Sequence, residues 1–289
     1  MRSLLALTGL SLLALAISAA PVRAAEEILI ENNIEYTNPD DQHLQVNMAR
    51  PKAKGTYPGI ICIHGGGFRA GDRSGYNDLV QRLAKRGYVA ITVEYRLAPK
   101  YPFPAAVHDV KAAVRWLRAN AKKYHVNPDK IGVTGGSAGG TLVQLLGVTE
   151  GVKELEGDGG NPKVSSRVQA VVNFYGANDF TKSYGKSVDA HIVLPLWLGG
   201  DAKQEFRRHI LASPLYWVNP NATPTLIVHG TKDNYVHYEQ ALMLYDRMKA
   251  SAALVELVTL EGAGHGFGGK DAERAEEAMF AFFDKMLKN

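Results

Sequence analysis

The pattern that most constrains this chain is its alternation of short, near-continuous apolar runs with longer amphipathic stretches. Gly59–Ile63, Val89–Val93, Ile131–Thr134, Ala170–Phe174, Thr225–Val228 and Leu254–Leu260 are rich in Ile and Val and apolar at successive positions. Successive side chains of a strand point to opposite faces, so such runs suit strands covered on both sides. Between them, the stretch from Ala106 places Val110, Ala113, Val114, Leu117, Ala121 and Tyr124 at three- and four-residue steps, one continuous helical stripe. Asp78–Arg86, Tyr235–Ala250 and Asp271–Leu287 read as further helices, and Gly87 stands where a helix C-terminal cap belongs. Ile28–Tyr36 and Leu44–Met48 alternate polar and apolar residues, which predicts half-exposed antiparallel edge strands. The expectation is an α/β chain: a mostly parallel eight-stranded sheet with helices on both faces.

Residues 1–24 stand apart from that alternation. Arg2 gives a positive start, an apolar run spans Leu4 to Ala20, and Val22-Arg23-Ala24 presents small residues where a signal peptidase reads. This is the layout of a secretory signal peptide, so the expected organisation is a leader over 1–24 and one catalytic domain over 25–289, secreted or periplasmic. Loss of Arg2 and Arg23 with the leader lowers the formal charge from +4 to +2. With scattered lysines and arginines, that weak field calls for neither nucleic acid nor an anionic membrane. No later stretch is apolar and long enough to span a bilayer, so no membrane association is expected after cleavage. The single cysteine, Cys62, lies inside the run Gly59–Ile63 and is expected to pack as a small hydrophobe.

Two segments break the alternation. Gly151–Arg167, dense in Gly, Lys, Asp and Ser, reads as an exposed loop. Residues 177–224 form a longer excursion carrying Tyr184, Trp197, Tyr216 and Trp217. Long insertions in compact domains are often functional, and these aromatics fit either a satellite core or a substrate-lining surface.

The strongest chemical signal is Gly135-Gly136-Ser137-Ala138-Gly139-Gly140, directly after the run Ile131–Thr134 and directly before a helical run from Thr141. A nucleophile must stand clear of the sheet on a turn so sharp that neighbouring Cβ atoms would collide, which Gly135 and Gly139 avoid. The turn also puts Ser137 at a helix N-terminus, where positive potential favours developing negative charge. His64-Gly65-Gly66-Gly67-Phe68 ends the run Gly59–Ile63, and its glycine amides can approach a ligand closely. Gly66 or Gly67, with the amide of Ala138, are therefore the expected oxyanion donors. His64 reads as a prop for that loop.

A serine hydroxyl needs a base, and the base needs a carboxylate to fix its tautomer. On an elbow of this kind the partners follow in the order Ser, acid, His. His265 lies in Gly262-Ala263-Gly264-His265-Gly266-Phe267 after the last expected strand, and Asp233 lies just past the run Thr225–Val228. Both belong on the sheet edge that carries Ser137, where ligands collect in open parallel sheets. Asp179, after Ala170–Phe174, is an alternative acid, while His229 and His237 read as structural. No His/Cys/Asp cluster has metal-ligand spacing and no phosphate-cradling glycine motif is correctly placed, so neither metal nor cofactor is expected. Phe68, Trp197 and Trp217 are the candidates for substrate contact.

HGGGF at 64–68, EYRLAP at 94–99, FPAAVHDVKAAVRWL at 103–117, NPDKIGVTGGSAGG at 127–140, TPTLIVHGTKDNYV at 223–236 and GAGHGF at 262–267 together carry a resemblance. The chain resembles the hormone-sensitive-lipase-like esterases, and within them the branch of bifunctional carbohydrate acetyl esterases and feruloyl esterases. The resemblance implies the α/β-hydrolase fold, cofactor-free hydrolysis of small-molecule or polysaccharide-linked esters, and the triad Ser137, Asp233 and His265. Two departures stand out. Many such enzymes have Asp immediately before the nucleophile, where this chain has Gly136, and many carry a long N-terminal cap, for which few residues precede the first expected strand here. An uncapped pocket suits an acyl group on a bulky polymer, such as acetylated or feruloylated plant polysaccharide. The rival readings are a prolyl-oligopeptidase-type serine peptidase and a non-catalytic binding protein on the same scaffold.

Overall fold

The computed structural model describes residues 27–289, so the expected leader over 1–24 lies outside the described residues. The strands are β1 (Ile28–Thr37), β2 (Leu44–Pro51), β3 (Tyr57–Ile63), β4 (Val89–Val93), β5 (Val126–Gly136), β6 (Ala170–Phe174), β7 (Thr225–Gly230) and β8 (Val255–Leu260). They form one eight-stranded sheet in the order β1-β2-β4-β3-β5-β6-β7-β8. β2 pairs antiparallel with both β1 and β4, and every other pair is parallel. The helices are α1 (Asn77–Lys85), α2 (Ala105–Ala119), α3 (Ala121–Tyr124), α4 (Ala138–Val148), α5 (Lys153–Glu156), α6 (Ala190–Leu198), α7 (Phe206–Ala212), α8 (Glu239–Ala250) and α9 (Gly269–Leu287). This is the expected α/β-hydrolase architecture.

The apolar runs divide their side chains between two cores. Ile61, Ile63, Val89, Ile91, Val133 and Val171 face a core shared with α2 and α4. Their neighbours Ile60, Cys62, Ala90, Ala170 and Val172 face the opposite core, filled by α1 and α9. Burial on both faces is what the continuous runs encode. Burial also raises the Cys62 thiol pKa, so it packs as an unreactive small apolar group. From β3 the chain crosses to β4 on one side and then to β5 on the other, so the order reverses between β3 and β5. The carboxyl ends of those strands flank a crevice there. The glycine loop after β3 and the elbow after β5 both open into it.

Three expectations need correction. β2 is not an edge strand: β1 covers its outer side, and most of β2 is buried. Local alternation cannot reveal that a later pairing will cover a strand. The stripe from Ala106 to Tyr124 is two helices, because the chain breaks at Asn120, whose amide and side chain both hydrogen-bond the Trp116 carbonyl. Residues 151–167 are not merely an exposed loop. They contain α5, with Leu155 buried, and Glu156 accepts from Lys111 Nζ (2.7 Å) and from Arg115 (3.3 Å).

Lys111 is fully buried, and its only other acceptor among the described residues is the Thr149 carbonyl at 2.6 Å. Glu156→Ala therefore leaves a buried ammonium without its counter-charge. The expected loss is about 3 kcal/mol, read as a lower urea midpoint at unchanged slope.

Candidate active site

Ser137 sits between β5 and α4 with φ 58° and ψ −122°, outside the region that side-chain-bearing residues ordinarily occupy. Such backbone costs about 1–3 kcal/mol and persists only where its surroundings fix it. Here the Ser137 amide donates to the Phe174 carbonyl at 3.0 Å, and the Ser137 carbonyl accepts from Thr141 N–H at 3.1 Å. Gly139 allows the elbow to close onto β3, since a Cβ on it would lie 2.0 Å from the Ile63 carbonyl oxygen. The hydroxyl is thereby lifted into the crevice at the N-terminus of α4.

The three residues expected to act together do meet. His265 Nε2 lies 2.9 Å from Ser137 Oγ, and His265 Nδ1 lies 2.7 Å from Asp233 Oδ2. The other carboxylate oxygen, Oδ1, accepts from the amides of Tyr235 (2.9 Å) and Val236 (2.8 Å). Burial opposes ionisation of Asp233. Hydrogen bonds from His229, His265 and the Val236 amide outweigh it and hold the carboxyl well below the usual carboxylate range. With Asp233 ionised, Nδ1 of His265 carries the proton and Nε2 is free to accept from the serine. His229, fully buried, donates through Nε2 to the Val236 carbonyl at 2.7 Å and lies 3.4 Å from Asp233 Oδ2. It supports the loop and the carboxylate, as a structural histidine. Asp179 lies elsewhere: it caps a turn, accepting from Thr181 (2.9 and 2.6 Å) and from the Tyr216 hydroxyl at 3.2 Å.

The glycine loop faces the elbow. Gly66 (φ 115°) lies in backbone space that a side chain would deny it, and a Cβ there would stand 2.1 Å from the Ala70 carbonyl oxygen. Its own carbonyl accepts from the amides of Arg69 and Ala70, closing the turn. Among the described residues, the amides of Gly66 and Gly67 donate to no protein acceptor. Ala138 opens α4, where an amide has no acceptor within its helix. These are amides free for an anion. His64 is buried, stacks on Tyr95 at 4.3 Å and hydrogen-bonds the Gly65 carbonyl, which makes it a prop of this loop. Desolvation lowers its pKa and keeps it neutral.

The crevice encloses about 520 Å³. Phe68, Phe180, Ala190, Val193 and Leu194 give it apolar lining, and Tyr76, Tyr175 and His265 line it as well. Of the three expected substrate contacts, Phe68 alone lines this cavity. Trp197 is buried behind it, stacked on the Phe68 ring with centroids 3.5 Å apart. Trp217 packs partly buried between two cores and donates its indole N–H to the Leu211 carbonyl at 2.9 Å. Periodicity in residues 177–224 could not reveal which aromatics face inward. Tyr76 and Tyr175 escaped the sequence reading, although Tyr175 follows β6 at the ligand-binding edge, a positional signal that could have found it. No group of metal-ligating side chains occurs among the described residues, and no helix there is long and apolar enough to cross a membrane.

Comparison with known proteins places this geometry in a family. Residues 45–248 match the family model described as BD-FAE, well over half the chain. The chain belongs to the BD-FAE family. Within the hormone-sensitive-lipase-like resemblance read from the motifs, the BD-FAE match covers the glycine loop, the elbow and Asp233. His265 lies beyond it. The chain is 35% identical over 245 residues to esterase LipC of Mycobacterium tuberculosis, covering 81% of this chain and 60% of LipC. It is 31% identical to the probable carboxylic ester hydrolase LipM of the same organism, covering 78% and 53%. The chain thus spans little more than half the length of these relatives. Among solved structures, a truncated carbohydrate esterase from gut microbiota superimposes with TM-score 0.81 at 28% identity, covering 94% of this chain and all of that one. Propionate-bound esterase 2 of Thermogutta terrifontis gives TM-score 0.74 at 27% identity, covering 91% and 94%.

Proposed function

We propose that this BD-FAE chain is a serine carboxylic ester hydrolase that removes acetyl or feruloyl groups from plant polysaccharides or related short-chain esters. The observation that carries the reading is the unbroken hydrogen-bonded chain from Asp233 through His265 to Ser137 at the floor of an open cavity.

Ser137 Oγ attacks the ester carbonyl carbon while its proton passes to His265 Nε2. The carbonyl oxygen becomes an oxyanion against the amides of Ala138 and of Gly66 or Gly67, and loss of one such donor costs roughly 10²–10³ in rate. His265 then returns the proton to the departing alkoxide, leaving an acyl group on Ser137. Water attacks that acyl-enzyme as His265 takes its proton; the bond from the acyl carbon to Ser137 Oγ then breaks, His265 returns the proton to Oγ, and the acid leaves. Asp233 stays ionised throughout and stabilises the imidazolium.

The acyl preference rests on shape. The wall of Phe68, Phe180 and Val193, its rings packed against Trp197, bounds one side of a cavity of about 520 Å³, a size that suits short acyl groups. The carbohydrate esterase among the structural neighbours and the propionate-bound esterase support small acyl groups and a sugar alcohol. The expected kcat/KM for 4-nitrophenyl acetate or butyrate exceeds that for the palmitate ester by about a hundredfold. Rates on acetylated xylan, methyl ferulate and a proline-containing peptide, measured side by side, test the substrate class. Preferential peptide cleavage defeats it.

A further inference from the structure

A second cavity, of about 370 Å³, adjoins the first. Tyr76 and Tyr175 line both, so the two spaces share a wall of tyrosine rings. We infer that this second cavity, between α1 and α9, seats the sugar unit of the ester's alcohol, with its ring against Tyr175 and Phe267 and its hydroxyls toward Asp78 and Glu276. The inference rests on the esterase reading and adds to it where the alcohol lies.

The direction of the leaving group follows from the proton it must receive. His265 Nε2 donates to the departing alkoxide, so that oxygen and the ring bearing it leave on the His265 side of the scissile bond. Tyr175 occupies that side, its ring 4.9 Å from the His265 ring and edge-on to it. Phe267, two residues beyond His265, packs 4.8 Å from Tyr175 and faces the second cavity. Tyr175, the neighbour of the base, thus lines the second cavity as well as the first.

Its lining suits a sugar. Aromatic rings offer an apolar platform for the C–H face of a pyranose, while carboxylates and a guanidinium take its hydroxyls. Arg82 and Glu276 are paired at 2.7 and 2.8 Å and Asp78 is exposed, so charged acceptors stand beside aromatic surface. The Tyr175 hydroxyl has no hydrogen-bond partner among the described residues. The wall also accounts for Gly136, the departure from the aspartate common before the nucleophile. A Cβ at Gly136 would stand 2.8 Å from the Tyr175 hydroxyl and 3.1 Å from its ring carbon. Glycine leaves the Tyr175 ring its place against the elbow, and a side chain there would push the hydroxyl end of that ring aside.

The test compares two acetyl esters that share all chemistry at the carbonyl: ethyl acetate, whose alcohol is too small to enter, and acetylated xylo-oligosaccharides. Acetate release is followed by pH-stat for the wild type, for Ala272→Trp, which fills the cavity from a half-buried position on α9, and for Glu276→Gln. The ratio of kcat/KM for oligosaccharide to that for ethyl acetate is expected to fall about tenfold or more in the folded variants, through KM. A ratio within twofold of wild type in both variants overturns the inference. If wild type hydrolyses neither ester, the esterase reading itself fails and this inference with it.

Discussion

Ser137→Ala is expected to lower kcat for 4-nitrophenyl acetate by roughly 10⁵–10⁶-fold while leaving the circular-dichroism spectrum and melting temperature close to wild type. The size follows from the arrangement around the hydroxyl. His265 Nε2, 2.9 Å away, has no other nucleophile to activate, and the amides of Ala138 and the glycine loop can stabilise only an oxyanion formed at that spot. Residual rate reflects transition-state binding by those amides, with water attacking directly. Retained folding is expected because, among the described residues, the Ser137 side chain has no hydrogen-bond partner besides His265, while its backbone bonds to Phe174 and Thr141 persist. A variant with near-normal turnover would place the nucleophile elsewhere.

Asp233→Asn is the second large effect, a fall of roughly 10⁴-fold in kcat. The amide oxygen of asparagine can replace Oδ1 as acceptor for the Tyr235 and Val236 amides, so the loop keeps its shape. Its amide nitrogen then faces His265 Nδ1 and must donate where the carboxylate accepted. That turns the imidazole to the other tautomer, with a hydrogen on Nε2 pointing at Ser137, and the base no longer accepts the serine proton. Asp179→Asn serves as the comparison. Its carboxylate is engaged by Thr181 and Tyr216, so the expected change is less than about tenfold, and kinetics of the two variants decide which acid orients His265.

Much of this geometry is legible from local sequence because the folding signal there is local. The runs Val89–Val93 and Ala170–Phe174 coincide with β4 and β6, since each is apolar on both faces and sharply bounded. The elbow reads clearly because Gly139 must admit the Ile63 carbonyl, a demand only glycine meets. His265 and Asp233 follow from chain order along one sheet edge. What escaped depends on contacts between distant segments. β2 looked half-exposed because nothing in Leu44–Met48 shows that β1 will cover its edge. Glu156 looked like loop composition because its purpose is set by Lys111 and Arg115 on α2. Trp197 resembled a substrate platform, but the turn of α6 directs it under Phe68 and out of the cavity. Tyr76 is brought to the site by the segment before α1, and no pattern around it announces a wall between two cavities.

Ser137 owes its nucleophilicity to its contact with His265. Labelling with diethyl 4-nitrophenyl phosphate, followed by peptide mapping in a mass spectrometer, tests it most directly. One diethylphosphoryl group per chain is expected, on the Ser137 hydroxyl, with label and loss of esterase activity rising together, and no label in the His265→Ala variant. Complete inactivation with Ser137 unmodified, or equally fast labelling without His265, would contradict it.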